Sequence, residues 1–138
     1  MSAPTPADEL RTAATKLRTL AAAAMHDDRP QWQIGHTLSS KTRVVVDNQK
    51  RPSLLIETWA PRREQVDDYL VAFASPVVAF AVADWLDQAA HHYDAGVQAA
   101  NDVFRDNPAR HTAFLTTGPG APSEHALAVA RAITQAAP

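Results

Sequence analysis

The sequence predicts an α+β domain of 138 residues, and three observations lead to that class. Apolar residues recur at steps of three and four from Val78 to Phe104, which is the spacing of one face of a long helix. Between residues 31 and 59 the steps become even, as is typical of strands. Alanine-rich segments of helical spacing lie at both ends of the chain. We therefore expect a small three-stranded antiparallel sheet (about 31–59) packed against an N-terminal helix, a long central helix (about 76–106) and a C-terminal helix.

The first helix has a clear start signal in Thr5-Pro6-Ala7-Asp8. Thr5 is the expected cap, Pro6 suits the first helical position, and Asp8 lies three residues after the cap. The polar turn at His26–Pro30 ends this helix near Met25. The strand candidates that follow are the alternating residues Trp32, Ile34 and Leu38, the β-branched run Thr42–Val46, and Ser53–Trp59. The short turns between them indicate an antiparallel meander with one covered face.

A second helix is predicted over Arg62–Phe73, with Val66, Tyr69, Leu70 and Phe73 facing inward. Ser75 is expected to cap the central helix with its hydroxyl, and Pro76 to take its first position. At about 1.5 Å per residue the central helix spans on the order of 45 Å, longer than a small domain is wide. It is therefore expected either to kink near Gly96 or to reach past its own core toward a partner.

The remaining elements are shorter. Asn107 is the expected cap of a short turn over residues 108–115, because Pro108 breaks the central helix. The glycines and prolines of Thr116–Pro122 predict a flexible loop over residues 116–122. A last helix is predicted over Ser123–Gln135. Together these elements are expected to form a single domain over residues 1–138, with a loose tail at residues 1–4.

Composition excludes several classes of function. The formal net charge of −2 argues against a general binder of DNA or anionic membranes, so nucleic acid is not an expected partner. The absence of cysteine excludes disulfides, cysteine-ligated zinc and thiol catalysis. No apolar run has the length of a membrane span, and the N-terminus lacks the pattern of a secretion signal. The sequence therefore predicts a cytoplasmic protein without membrane contact.

A resemblance to a known group rests on four motifs that follow one another over most of the chain. They are a Leu-Arg-x-Ala-Ala helix, a Trp-containing strand region, an Ala-Val-Ala-Asp-Trp-Leu helix and a His-Ala-Leu-Ala-Val-Ala-Arg helix. The matching residues are Leu10–Arg18, Trp32, Tyr69–Phe73, Pro76, Ala81–Leu86 and His125–Ala132. In these motifs the chain resembles small uncharacterised accessory proteins of actinobacteria and their bacteriophages. It departs from them at Asp28–Trp32, where the group has Thr-Pro-Gly-Pro-Trp.

The resemblance implies a small accessory protein encoded by a phage or another mobile element. Proteins of this kind often act by binding host proteins or by sequestering small molecules. The resemblance assigns no site residues, so candidate sites depend on the residues themselves.

Two constellations suggest chemistry but favour ordinary structural roles. Carboxylates and an imidazole lie along one helical stripe at Asp84, Asp87, His91 and Asp94, a pattern that could bind a divalent metal. No second ligand-bearing motif accompanies it, so a solvated polar face is favoured and no metal or other cofactor is expected. The serines lack the Gly-x-Ser-x-Gly turn of hydrolases, and Ser123 is better placed as a helix cap. The protein is therefore not expected to be an enzyme.

Two surfaces could bind a partner. Trp32, Arg43, Arg51 and Trp59 could form a basic sheet face on which nucleotides stack, although the even spacing of Trp32, Ile34 and Leu38 favours a core role for the tryptophans. Trp85, Tyr93, Phe104 and Phe114 are candidates for a protein interface, and Trp85 is core if buried or a hot spot if exposed.

Of these two surfaces, the sequence favours the protein interface. We expect a non-enzymatic protein that binds a host protein and forms a homo-oligomer through its helices, because an overlong apolar stripe needs cover. The alternative is a module that binds or sequesters a small ligand or nucleotide on the basic sheet face.

Overall fold

A computed structural model of the chain describes residues 3–25, 28–38, 41–50, 55–59 and 61–136. The elements are α1 (Pro6–Ala23), β1 (Trp32–His36), β2 (Arg43–Asp47), β3 (Leu55–Ile56), α2 (Arg63–Tyr69), a π-helical segment (Leu70–Ala74), α3 (Pro76–Val103), α4 (Pro108–Thr116) and α5 (Glu124–Gln135). The expected α+β class is confirmed. The chain divides into two compact units, one of residues 1–17 with 82–138 and one of residues 18–81. The assignment of residues 1–138 to one domain stays a prediction.

The sheet lies in the unit of residues 18–81 and is mainly a two-stranded ladder. β1 and β2 pair antiparallel from Trp32 opposite Asp47 to His36 opposite Arg43. The expected third strand over Ser53–Trp59 is reduced to β3, whose two residues pair with Val45 and Val46. Residues 57–59 are not in a strand, and Ser53 and Leu54 lie outside the described residues. The first two strands form a ladder near their predicted positions, and the prediction of a third strand is not supported beyond this two-residue pairing.

The middle strand is covered on both faces. Val44 and Val45 are both fully buried, and neighbouring residues of a strand point to opposite faces. The expectation of a sheet with one covered face is therefore wrong at its centre. Leu38, by contrast, lies beyond the end of β1 and is fully exposed. The core position that its even spacing from Trp32 predicted is therefore wrong.

The start of α1 has the predicted capping pair. The Thr5 hydroxyl accepts a hydrogen bond from the Asp8 backbone N–H, and the Asp8 carboxylate accepts one from the Thr5 backbone N–H, each at 3.1 Å. The backbone hydrogen bond from Thr5, with a smaller contribution from its hydroxyl, lowers the pKa of Asp8. α1 ends at Ala23, two residues before the predicted end at Met25.

The core of the unit formed by residues 1–17 and 82–138 is a seam between α1, α3 and α5. Three leucines lie at its centre, namely Leu10, Leu86 and Leu127, and the other buried members are alanines. Small side chains let helix axes approach closely, and the remaining space is filled to the density of a crystal. The sequence predicted these three helices and, from the alanine content, close approach between helices, but it named the sheet as the element on which they pack.

Charged side chains connect the same three helices at their surfaces. Arg131 donates two hydrogen bonds of 3.2 Å to the Glu9 carboxylate. Arg11 pairs with Asp94 at 2.6 Å. Lys16 donates to the carbonyl oxygens of Ile133 and Ala136, and so satisfies acceptors that the last turn of α5 leaves free.

α3 is one continuous helix from Pro76 to Val103, without a break at Gly96. The alternative of a kink at that position stays a prediction. A Cβ placed on Gly96 would lie 3.4 Å from the Cα of Gly120, which is an ordinary van der Waals distance. The segment around Gly120 folds back on α4, because Gly118 and Gly120 donate backbone hydrogen bonds to the carbonyls of Ala113 and Phe114. The predicted flexibility of residues 116–122 stays a prediction.

Two glycine-to-alanine changes should have opposite effects. A Cβ on Gly120 would overlap Cε1 of Phe114, so Gly120→Ala must displace a ring that packs against Phe104. We expect it to lower the free energy of unfolding by about 1–3 kcal/mol. Gly96→Ala meets only ordinary contacts in a helix and should be neutral or stabilise by up to about 1 kcal/mol. Urea denaturation of both variants tests this, and equal losses would contradict the packing described.

Candidate functional site

The inward face of α2 carries a carboxylate. Asp67 is fully buried, and the Thr58 hydroxyl donates a 2.8 Å hydrogen bond to its Oδ1. Arg43 Nε lies 3.5 Å from Asp67 Oδ2 without forming a hydrogen bond, while Arg43 Nη2 lies 2.6 Å from Oδ1 of Asp68. One guanidinium on β2 therefore holds two successive carboxylates of α2, and this contact sets which way the helix faces.

Three apolar side chains of α2 and the π-helical segment are exposed, which contradicts the sequence prediction. Val66, Tyr69 and Phe73 were expected to point inward, but they are 39%, 62% and 61% exposed. We call these three residues the apolar stripe. Leu70, also expected inward, is half-buried. Asp67 faces inward, where it contacts Arg43 and Thr58. The apolar stripe lies on another side of the helix and is therefore exposed to solvent.

The two rings of the apolar stripe stack on each other. Their centroids are 5.8 Å apart, with planes inclined by 23°. Phe73 lies in the π-helical segment, whose wider turn brings residues four apart closer in angle than an α-helix does. The result is a preformed aromatic pair on the surface.

Ser75 fixes the end of the π-helical segment. Its hydroxyl donates to the Val71 carbonyl at 2.7 Å and accepts hydrogen bonds from the Trp32 backbone N–H and the Gln31 side chain. The sequence predicted that this hydroxyl would cap α3. It lies toward the half-buried start of β1 instead, where it is the acceptor for the Trp32 backbone N–H.

The residues of the predicted nucleotide face are not gathered into one site. Trp32 and Arg43 lie on the same face of the β1–β2 hairpin but at opposite ends, since Trp32 pairs with Asp47 and Arg43 with His36. Trp59 is 85% exposed. Arg51 lies outside the described residues. Because Arg43 already contacts two carboxylates, it presents no free guanidinium there, and this face stays a prediction.

The predicted protein interface is also divided. Tyr93 packs on the edge of the α1–α3–α5 core. Phe104 and Phe114 contact each other with ring centroids 5.6 Å apart. Trp85 is 40% exposed, and is the one member of the four with a large exposed apolar surface in the part of the chain that the structure describes. Its role as an interface residue stays a prediction.

The acidic stripe of α3 does not form a metal centre. Asp94 is paired with Arg11. Within residues 3–25, 28–38, 41–50, 55–59 and 61–136 no group of three or more histidine and carboxylate side chains lies close enough to hold an ion. A shallow concavity of about 330 Å³ lies where α3 meets α4, lined by Asn101, Phe104, Arg105, Pro108, His111 and Thr112. His111 Nε2 is hydrogen-bonded to Asn101 there at 2.7 Å.

None of the described helices is by itself long and apolar enough to cross a membrane. The segments 63–74 and 76–103 meet that requirement only when taken together across their bend, and buried helices of soluble proteins meet it as well.

Comparisons with protein-family models, with curated protein sequences and with solved structures found no match to this chain. The resemblance to actinobacterial and phage accessory proteins therefore stays a prediction.

Proposed function

We propose that the protein acts by binding another protein through the apolar stripe Val66, Tyr69 and Phe73. The observation that carries this proposal is that α2 turns a carboxylate into the fold and two stacked aromatic rings into solvent. Leaving large apolar groups in water costs roughly 25 cal/mol per Å² of exposed area, and a partner that covers them recovers that free energy. Aromatic side chains are also over-represented among residues that dominate binding energies.

The framework beneath the apolar stripe favours binding. Arg43 holds the N-terminal part of α2 through Asp67 and Asp68, and Ser75 fixes the end of the π-helical segment. The two rings are already stacked, so little side-chain freedom remains to be lost on association. A rigid apolar anchor of this kind suits a shallow apolar groove on the partner.

The charges around α2 indicate what borders that groove. Glu64 and Asp68 are exposed along one side of the helix. Basic side chains at the corresponding rim of the partner would speed association and fix its orientation. In keeping with the resemblance, we propose that the partner is a protein of the host cell and that the role is non-enzymatic.

The alternative function, sequestration of a small ligand or nucleotide on the basic sheet face, has less support. Of its four residues only Trp59 is largely exposed in the described part of the chain, and Arg43 is occupied by Asp67 and Asp68.

The double variant Tyr69→Ala/Phe73→Ala tests the proposed function. The immobilised wild-type protein, the double variant and Val103→Ala are incubated with an actinobacterial lysate, and a protein retained by the wild type is purified and titrated against all three. We expect the double variant to bind at least about tenfold more weakly, and Val103→Ala, which removes an exposed side chain outside the stripe, to bind like the wild type. Because the rings lie in solvent, urea denaturation should show a loss of no more than about 2 kcal/mol.

Equal affinity of the double variant and the wild type would refute the proposed function. A stability loss near that of two buried aromatic residues, roughly 6 kcal/mol or more, would show that the rings belong to the core.

A further inference from the structure

The outer edge of β1 has a simple hydrogen-bonding pattern. The Thr37 backbone N–H donates to the Thr42 carbonyl at 2.9 Å, which continues the register of the β1–β2 ladder. In an antiparallel ladder the residues that bond to the neighbouring strand alternate with residues whose N–H and C=O point away from it. Gln33 and Gly35 therefore bond to β2, and the backbone groups of Trp32, Ile34 and His36 point outward.

In the part of the chain that the structure describes, the first of these three outward residues is the one whose backbone groups have partners. The Trp32 N–H donates to Ser75 Oγ and its carbonyl accepts from the Gln31 side chain at 3.0 Å. Among the described residues, the outward N–H and C=O of Ile34 and His36 have no protein partner. His36 is exposed, and Ile34 and Gly35 are half-buried. A strand edge with free donors and acceptors is a template for another strand.

We propose that this edge pairs with β1 of a second copy of the chain, antiparallel and about a two-fold axis. The register that uses both free residues places Ile34 opposite His36 of the other copy, and the reverse. Each such pair exchanges two hydrogen bonds, so this register satisfies every free group of both edges.

The side chains also suit this register. Gly35 would lie opposite Gly35 of the other copy, in a pair without backbone bonds where strands approach most closely, and neither residue has a Cβ. Ser75 closes the edge at Trp32, which limits the pairing to the two free residues and fixes the register. No charged side chain faces another of the same sign, because the paired residues are an isoleucine and a histidine.

A second copy is favoured over a foreign strand because this edge is complementary to itself, and an interface about a two-fold axis uses the same patch twice. The resulting dimer would join through its sheets, whereas the sequence predicted association through helices. This inference does not depend on the apolar stripe, since its test needs only the purified protein.

Sedimentation and light scattering of the wild type, His36→Pro and His36→Ala between micromolar and millimolar concentration test the dimer. Proline removes an outward N–H without removing a bond to β2, so the fold should be kept. We expect the wild type and His36→Ala to dimerise with similar affinity, and the dissociation constant of His36→Pro to rise at least about tenfold, because two hydrogen bonds are lost at each interface.

Amide hydrogen exchange of the wild type at several protein concentrations is a second test of the dimer, and it needs no variant. The amides of Ile34 and His36 should exchange more slowly as protein concentration rises, while those of Gln33 and Gly35 stay protected throughout. A monomer at every concentration would overturn the inference, and so would a dimer whose affinity His36→Pro leaves unchanged.

Discussion

Leu86→Ala should lower the free energy of unfolding by about 2–5 kcal/mol. Leu86 is fully buried in the seam of α1, α3 and α5. Most of its buried neighbours are alanines, which have no side-chain rotamers with which to fill the space that the substitution leaves. The lost transfer free energy is therefore joined by the cost of an unfilled cavity, and urea denaturation followed by circular dichroism measures the sum.

Val103→Ala is a suitable control, because it lies on the same helix but is 72% exposed. Its effect should stay within about 0.5 kcal/mol. If Leu86→Ala lowered the free energy of unfolding no more than Val103→Ala does, Leu86 would not lie in a packed core between α1, α3 and α5.

Local signals predicted the helix starts well. Thr5 and Asp8 form the expected pair, the Asn107 side chain accepts from the Arg110 backbone N–H, and the Ser123 hydroxyl accepts from the Ala126 backbone N–H. These contacts join residues three apart, so the sequence alone determines them. The end of α3 at Val103 comes three residues before the predicted end near 106, because Phe104 to Asp106 form the turn that leads to Asn107 and Pro108.

The orientation of α2 could not be predicted in the same way. The spacing of Val66, Tyr69 and Phe73 correctly indicates that they share one side of a helix, but spacing does not say which side faces the core. The deciding contacts come from Arg43 and Thr58, which lie in other elements of the chain. Since apolar stripes usually face inward, the rule failed at a site where a buried ion pair took precedence, and such failures are expected at functional surfaces.

The candidate site was missed for the same reason. The sequence predicted correctly that Val66, Tyr69 and Phe73 are helical, but apolar residues at helical spacing were expected to lie in the core. The Asp67-Asp68 doublet gave no signal of the true orientation by itself, because two successive carboxylates can also both lie in solvent. The predicted meander already places the first strand at an edge of the sheet, but it does not show which backbone groups of that edge are left free, because the contact of Trp32 with Ser75 joins distant parts of the chain.

Asp67→Ala should lower the free energy of unfolding by about 2–4 kcal/mol. The substitution removes the Thr58 hydrogen bond and leaves part of the Arg43 charge without its buried partner. Losing one partner of a fully buried pair costs roughly 3–5 kcal/mol, and the value is lower here because Arg43 is partly exposed and keeps Asp68. Urea denaturation monitored by circular dichroism gives the difference.

Asp68→Ala is the matched control, because it removes the neighbouring carboxylate from the same guanidinium. Asp68 is exposed, and a surface ion pair contributes no more than about 1 kcal/mol, although its 2.6 Å contact is the shorter of the two. The burial of the carboxylate, and not its distance from Arg43, should therefore determine which of the two variants loses more free energy of unfolding. If Asp68→Ala cost as much as Asp67→Ala, the two carboxylates would be equivalent, and the buried ion pair would no longer explain why α2 turns Tyr69 and Phe73 toward solvent.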